Sequence, residues 1–537
     1  MDLKTLATEA FSANCRFAYR TVLLLVYVTS WFLAAESHAA ETQHPLSPSR
    51  VAGRVDKLLM QAMNDANVEA VPLVNDATFV RRIHLDLVGR IPTVFETREF
   101  LANNDANKRQ QLINDLTQSA THARHMAVFW RRTWIPQADT REFESLVEET
   151  DAWIGLEIAA GKPYDQMVSD LLTATSAAIS PNASDPRESE APLAFLRAGN
   201  YRSEKLAANS ARAFLGLNLD CAECHDHPFS RWTQDEFWQF AAFFEAPQDN
   251  ESGVPPQIKV GETDRLVSAR LFTGDQADWP HNPRPDEGRR IVARWMASDD
   301  NTYLARNAVN RLWAHYLGTG FIEPLDDISE SNPASHPEAL DTLTQAFIDS
   351  GFNLRYLSRC IVLTQAYQRS SEANGSHGVS LADSNSSTRL FHQMPVRALT
   401  GEQLHDSLQI AAGLPFERDD LTQRDKFSQR QLTAKKFLVD RAAQAERSTT
   451  QALSMMNSQR IDALTRRDGS PILEAVLSAP FLSHEDRIEM LFLATLSRSP
   501  SAKETKSLFG SSSNPSQQEY EDALWALFNS VEFNTNH

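Results

Sequence analysis

The stretch Asp76-Ala-Thr-Phe-Val-Arg-Arg-Ile-His-Leu-Asp-Leu-Val-Gly-Arg-Ile-Pro-Thr-Val-Phe-Glu96 decides the fold class. Phe79, Val80, Ile83 and Leu87 recur at the three- and four-residue spacing of one helix face. The segment therefore predicts a helix that Asp76 caps and Gly89 ends. Thr93 and Glu96 follow as a capping box that opens the next helix. The same pattern repeats along the chain. Val55, Leu58, Leu59 and Met63 precede it, Leu112, Ile113 and Leu116 follow, and residues 126–134 form an aromatic, arginine-containing helix. Residues 203–214 read as a helix closed by Gly216. Thr233–Glu236 and Thr400–Gln403 are further capping boxes. Ala305, Val309, Leu312 and Tyr316 mark a helix closed by Gly318, and Ser335-His-Pro-Glu338 opens another that buries Leu340, Leu343 and Phe347. Only residues 257–260 and 266–272 alternate as strands, inside a stretch rich in Pro and Gly. The reading is a mainly α protein of two helical domains with a small β hairpin between them. Its segments are a signal peptide at 1–39, a first helical domain at 40–250, a linker with the hairpin at 251–285, and a second helical domain at 286–537.

A chain of 537 residues needs more than one core, and 42% hydrophobic with 23% charged residues is globular composition. A net charge of −18 repels phosphate backbones, so nucleic acid is set aside as a partner class. Lys4, Arg16 and Arg20 precede an apolar run at 22–35, and Ser37-His-Ala39 offers small residues at a cleavage site. The run is shorter than the ~20 residues of a membrane helix. The expectation is export, to the periplasm or beyond, with no integral membrane span after cleavage. Cys15 leaves with that segment, so Cys221, Cys224 and Cys360 remain, an odd number that argues against a disulfide framework. Cys360 lies in a helical apolar stretch and reads as a small buried hydrophobe.

The chemistry concentrates in Cys221-Ala-Glu-Cys224-His225-Asp-His227-Pro-Phe229. Two thiols at i and i+3 with a histidine adjoining form the spacing that attaches haem c. Cys221 and Cys224 would carry the thioethers and His225 would be the proximal iron ligand. Met394, Met455, Met456, His315 and His336 stand equally as sources of a sixth ligand. Phe229, Trp232 and Trp238 either wall a haem edge or belong to the core. Cys221, Cys224, His225 and His227 also suit zinc or copper, and a reactive or simply packed dithiol is the third reading.

The second half offers Asn310, Arg311, His315, Asp326, Asp327 and His336. Asn307, Arg311 and His315 share one helix face. Asp326, Asp327 and His315 are the catalytic candidates, because paired carboxylates with a histidine bind metal or perform acid–base work on a sugar or ester. The competing reading is an Arg–Asp network that pins the loop to the helix.

Several blocks carry a family resemblance: 76–93, Phe214-Leu-Gly216 with Cys221–Phe229, Asn307-Ala-Val-Asn310-Arg311-Leu-Trp313-Ala-His315 with Pro324-Leu-Asp326-Asp327, Asn332–Glu338, and Trp525–Phe533. Together they resemble the exported, cytochrome-associated paired domains of unknown function abundant in planctomycetes, a PSCyt-type domain followed by a PSD-type domain. Thr319 departs from the basic residue that relatives usually carry between the two glycines. The resemblance implies association with c-type cytochrome modules, and so other exported redox or cytochrome proteins as partners. The leading expectation is an exported c-type-haem-like redox or electron-transfer protein, part of a larger extracytoplasmic assembly. A metal-dependent hydrolase acting on extracellular polymer and a non-catalytic binding scaffold stay open beside it.

Overall fold

The helix Asp76–Val88 starts one residue away from its expected cap. Asn75 is the cap and accepts the Thr78 N–H at 2.9 Å. Asp76 pairs instead with Lys108 at 2.8 Å and Arg109 at 2.7 Å. Either side chain suits the cap, and two cations within reach draw Asp76 away from it. Gly89 ends the helix at φ +73°, where a Cβ would lie 2.5 Å from His125 Nδ1, so backbone and packing both require glycine. Every residue from Phe79 to Val88 is buried. A helix buried all round must satisfy its polar residues inside the protein. Arg81 donates to the carbonyls of Thr495, Glu532 and Phe533, and Arg82 to those of Tyr367, Arg369 and His537. Burial pushes both guanidinium pKa values down to about 10. These arginines tie an early helix to the end of the chain.

The computed structural model describes residues 45–176, 190–228, 230–247, 253–274, 277–298, 301–371, 389–415, 429–437, 449–510, 512 and 514–537. The expected signal peptide at 1–39 and Phe229 lie outside these residues. Of the described residues 62% are helical, which makes the protein mainly α. The capping boxes at Thr93, Thr233 and Thr400 all form. The expected hairpin forms too, with Gln257–Lys259 antiparallel to Leu266–Ser268 and Ile258 opposite Val267. A second pairing, Arg397–Ala398 with Thr535–Asn536, has no sequence signature at two residues per strand.

Residues 46–537 form one compact unit with two hydrophobic cores. The larger runs from Val51 to Met394 and includes Phe79, Trp130, Phe240, Trp313 and Phe347. The smaller runs from Leu399 to Phe533 and takes in Leu85 and Ile91. The larger core thus crosses the 251–285 stretch, and the seam in the packing falls just before Leu399. Among the described residues no helix is long and apolar enough to cross a membrane. Cys360 is fully buried and its thiol is pushed up to about 12 by that burial.

One helix departs from its pattern in a way that matters below. Ser203–Ser210 continues as a π turn, Ala211–Leu215, before Gly216 stops it at φ +68°. The widened turn presents the carbonyls of Arg212 and Ala213 to a second helix, Tyr303–Leu317. Arg311 Nη2 donates to the first at 2.9 Å and Asn307 Nδ2 to the second at 2.8 Å.

Candidate functional site

The cysteine segment is a short 3-10 turn, Asp220–Glu223, in which the Cys221 carbonyl accepts the N–H groups of Cys224 and His225 at 3.3 and 3.2 Å. The helix Gln234–Ala241 holds it from below. Trp238 Nε1 donates to the Glu223 carbonyl at 3.0 Å, Gln234 Nε2 to the Cys224 carbonyl at 2.8 Å, and the Gln234 N–H to Asp226 Oδ1 at 2.8 Å. With its carbonyls tied inward, the turn presents Cys221, Cys224 and His225 to solvent, both thiols unbonded. Trp232 and Trp238 are buried and pack against Phe272 and Phe237, with ring centroids 4.8 and 5.5 Å apart. They belong to the larger core.

Two accessible thiols beside an accessible imidazole have the donor chemistry that haem c attachment requires. An apolar enclosure is not built around them from the described residues: Ala222 is the only fully buried residue of 220–226. Of the expected sixth ligands, Met456 is exposed. Met394 and His336 are buried, His336 among the rings of Phe321 and Phe391, and Met455 belongs to the smaller core. Among the described residues no group of three or more His, Cys, Asp or Glu side chains is placed to hold a metal, so Cys221, Cys224, His225 and His227 are not gathered as one ligand set.

The second-half constellation is dispersed. Asn310 pins the 320–322 loop by donating to the Ile322 carbonyl at 2.9 Å and accepting its N–H at 3.0 Å. Leu217 and Asp327 form an antiparallel bridge, and the Ile328 N–H donates to the Gly216 carbonyl at 2.9 Å. The loop is therefore fixed by an amide and by backbone, where the sequence suggested Arg–Asp pairs. Asp327 Oδ1 accepts from Ser329, and Asp326 makes no ion pair among the described residues. Neither carboxylate is among the residues that line a cavity with His315. Arg311 and His315 instead line a cavity.

That cavity, about 320 Å³, lies at the seam between the two cores. Five arginines line it: Arg132, Arg212, Arg311, Arg397 and Arg430. Its frame is Asp86, which accepts from Arg397 Nη2 at 2.8 and 2.9 Å, from Tyr367 Oη at 2.8 Å and from Asn536 Nδ2 at 2.9 Å. The Arg397–Asn536 register of the second strand pair brings two of those donors together. Arg132 holds Glu402 at 2.6 Å, and Arg430 pairs with Asp406 at 3.0 Å. Burial raises the Glu402 pKa, but Arg132 and Arg430 outweigh it and hold the carboxyl down to about 2. His125 and His315 complete one wall, with ring centroids 6.0 Å apart, and burial pushes both imidazoles down to about 3. Sequence reasoning singled out Arg311 and His315 but missed Asp86, His125, Arg132, Arg212 and Arg397. The available signal was the run Arg81-Arg82-Ile-His84-Leu-Asp86 inside an apolar helix, which leaves its charges no solvent face.

The fold and sites define a mainly helical protein with an exposed cysteine–histidine turn and a buried arginine cavity. The family described as "PSCyt2: Protein of unknown function (DUF1549)" matches residues 54–249, and "PSD1: Protein of unknown function (DUF1553)" matches residues 288–439. The chain belongs to the proteins that carry these paired PSCyt and PSD domains. No curated protein and no solved structure matches it. The cysteine turn falls in the first matched segment, and the cavity draws on both.

Proposed function

We propose that the chain is an extracytoplasmic redox protein whose centre is the Cys221–His225 turn, with haem c attached through Cys221 and Cys224. The observation that carries this reading is the outward presentation of both thiols and the adjoining imidazole on a turn whose backbone is held from beneath. Covalent attachment needs that reach, since haem must approach both sulfurs from solvent. The cytochrome element in the family's printed name points the same way. When bound, the haem would supply one-electron chemistry. The protein's part is to hold Cys221 and Cys224 at fixed spacing, through Trp238 and Gln234, and to offer His225 beside them.

The test is the absorption spectrum of the full chain expressed with a cytochrome-maturation system. A Soret band, and a haem stain that survives denaturation and vanishes in Cys221→Ser/Cys224→Ser, is the expected result. Absence of both signals sinks the haem reading. A second reading, an exposed dithiol, rests on the same free thiols; its mark is two-electron thiol–disulfide cycling between Cys221 and Cys224 in haem-free protein.

A further inference from the structure

We propose that the arginine cavity is a binding site for a small organic oxyanion, a molecule with a carboxylate, sulfate or phosphate head and a partly apolar body. The carboxylates in and beside the cavity are already engaged: Asp86 by Arg397, Tyr367 and Asn536, Glu402 by Arg132, and Asp406 by Arg430. Two guanidiniums are left over. Among the described residues Arg311 bonds only neutral acceptors, Asn307 Oδ1 at 2.9 Å and the Arg212 carbonyl at 2.9 Å. Arg212 Nη2 is buried without a hydrogen-bond partner among the described residues. Asp326 acts on both arginines electrostatically, yet pairs with neither among the described residues. Burial lowers both guanidinium pKa values, and the like charge of Arg212 adds to the effect on Arg311. Two neighbouring cations taken out of water without a carboxylate in contact are costly, and an anion between them removes that cost.

The rest of the lining extends the argument from charge to ligand shape. His125 Nε2 and His315 Nε2 are buried and have no partner among the described residues, so each is left to bond a ligand hydroxyl or oxygen. Phe129 lies against His315 with ring centroids 4.3 Å apart and, with Val128 and Leu325, gives the cavity an apolar side. The arginines exclude a metal cation, and the volume of about 320 Å³ suits a small molecule. The guanidinium fork matches planar carboxylate as well as tetrahedral heads, so the head group is left to the experiment's arms.

The experiment is calorimetric titration and thermal-shift measurement on the full chain with glucuronate, inorganic sulfate, inorganic phosphate and, as the uncharged counterpart, glucose. At least one oxyanion is expected to bind and raise the Tm, with glucose silent. Glucuronate above sulfate and phosphate assigns a carboxylate head; the reverse order assigns a tetrahedral one. Arg212→Gln, which removes no described side-chain hydrogen bond, should weaken binding ~10-fold or more, and the exposed Arg466→Gln should leave it unchanged. Should Arg212→Gln fail to fold, nitrogen NMR of the wild-type histidines supplies the readout, because His125 and His315 Nε2 should shift on titration with the oxyanion and not with glucose. No binding by any of the three oxyanions overturns the proposal, as does unchanged affinity in folded Arg212→Gln or a His125 and His315 spectrum indifferent to the anion. The haem reading can fail without touching this result, since none of Cys221, Cys224 and His225 lines the cavity.

Discussion

The cysteine turn and the arginine cavity are built in opposite ways. Cys221, Cys224 and His225 stand close together in the chain, exposed, on a turn held by its backbone carbonyls and a Lys205–Glu223 ion pair. The cavity gathers side chains from Asp86 to Asn536, and its central carboxylate is buried and saturated by three donor residues. The first region is conspicuous in sequence and structurally undemanding. The second is inconspicuous and carries the junction of the two cores. Side chains that leave the core free are available for a cofactor or a redox step. Side chains locked into it define a shape for something to enter.

The sharpest way to break this contrast is at Asp86. Asp86→Ala strands Arg397, Tyr367 and Asn536 in the interior, and its removal should cost about 3–5 kcal/mol, read as a lowered denaturant midpoint. A loss under 1 kcal/mol would mean that the buried network is not what joins the cores.

Acid should separate the regions next. Burial pushes His84 and His122 down to about 4, so between the unfolded value near 6.5 and that point the unfolded chain binds more protons than the native one. Stability is therefore full above about pH 6.5 and falls as pH drops, by about 2 kcal/mol for each of these two histidines at pH 5. Asp56, which burial raises to about 6, works in the opposite sense and offsets about 1 kcal/mol, so the histidines win. Urea midpoints at pH 7 and pH 5 test this, and equal midpoints would show that water reaches those imidazoles.

Gly216 lies between the regions, at the end of the π turn and opposite the 320–328 loop. Gly216→Ala places a Cβ 2.6 Å from Ile328 Cδ1 and 2.8 Å from Asn307 Oδ1 at φ +68°, for an expected loss of about 1–3 kcal/mol in thermal or chemical unfolding. The smallest effect is expected at the turn itself: Cys221→Ser/Cys224→Ser should stay within about 0.5 kcal/mol of the haem-free parent. A large loss there would make the thiols structural and remove the contrast.

The local grammar was legible throughout. The capping boxes at Thr93, Thr233 and Thr400, the glycine stops at Gly89, Gly216 and Gly318, and the 257–268 hairpin all form, because each depends on neighbours within a few residues. Asn75 displaced Asp76 as cap because Lys108 and Arg109, thirty residues away, compete for the carboxylate. The π turn at Ala211–Leu215 has no local signature for a similar reason, since the donors its carbonyls meet sit on a distant helix.

The sequence by itself determined that this protein is mainly helical, that it has the paired PSCyt and PSD segments, and that two cysteines and a histidine stand together at Cys221–His225. Tertiary structure alone decided that Trp232 and Trp238 are buried, that His315 but neither Asp326 nor Asp327 lines the cavity, and that five arginines meet around it. The physical reason is range. Helix periodicity and capping act over three or four residues, whereas a buried charge finds its partners wherever packing brings them, and Asp86 finds Arg397 and Asn536 more than three hundred residues away.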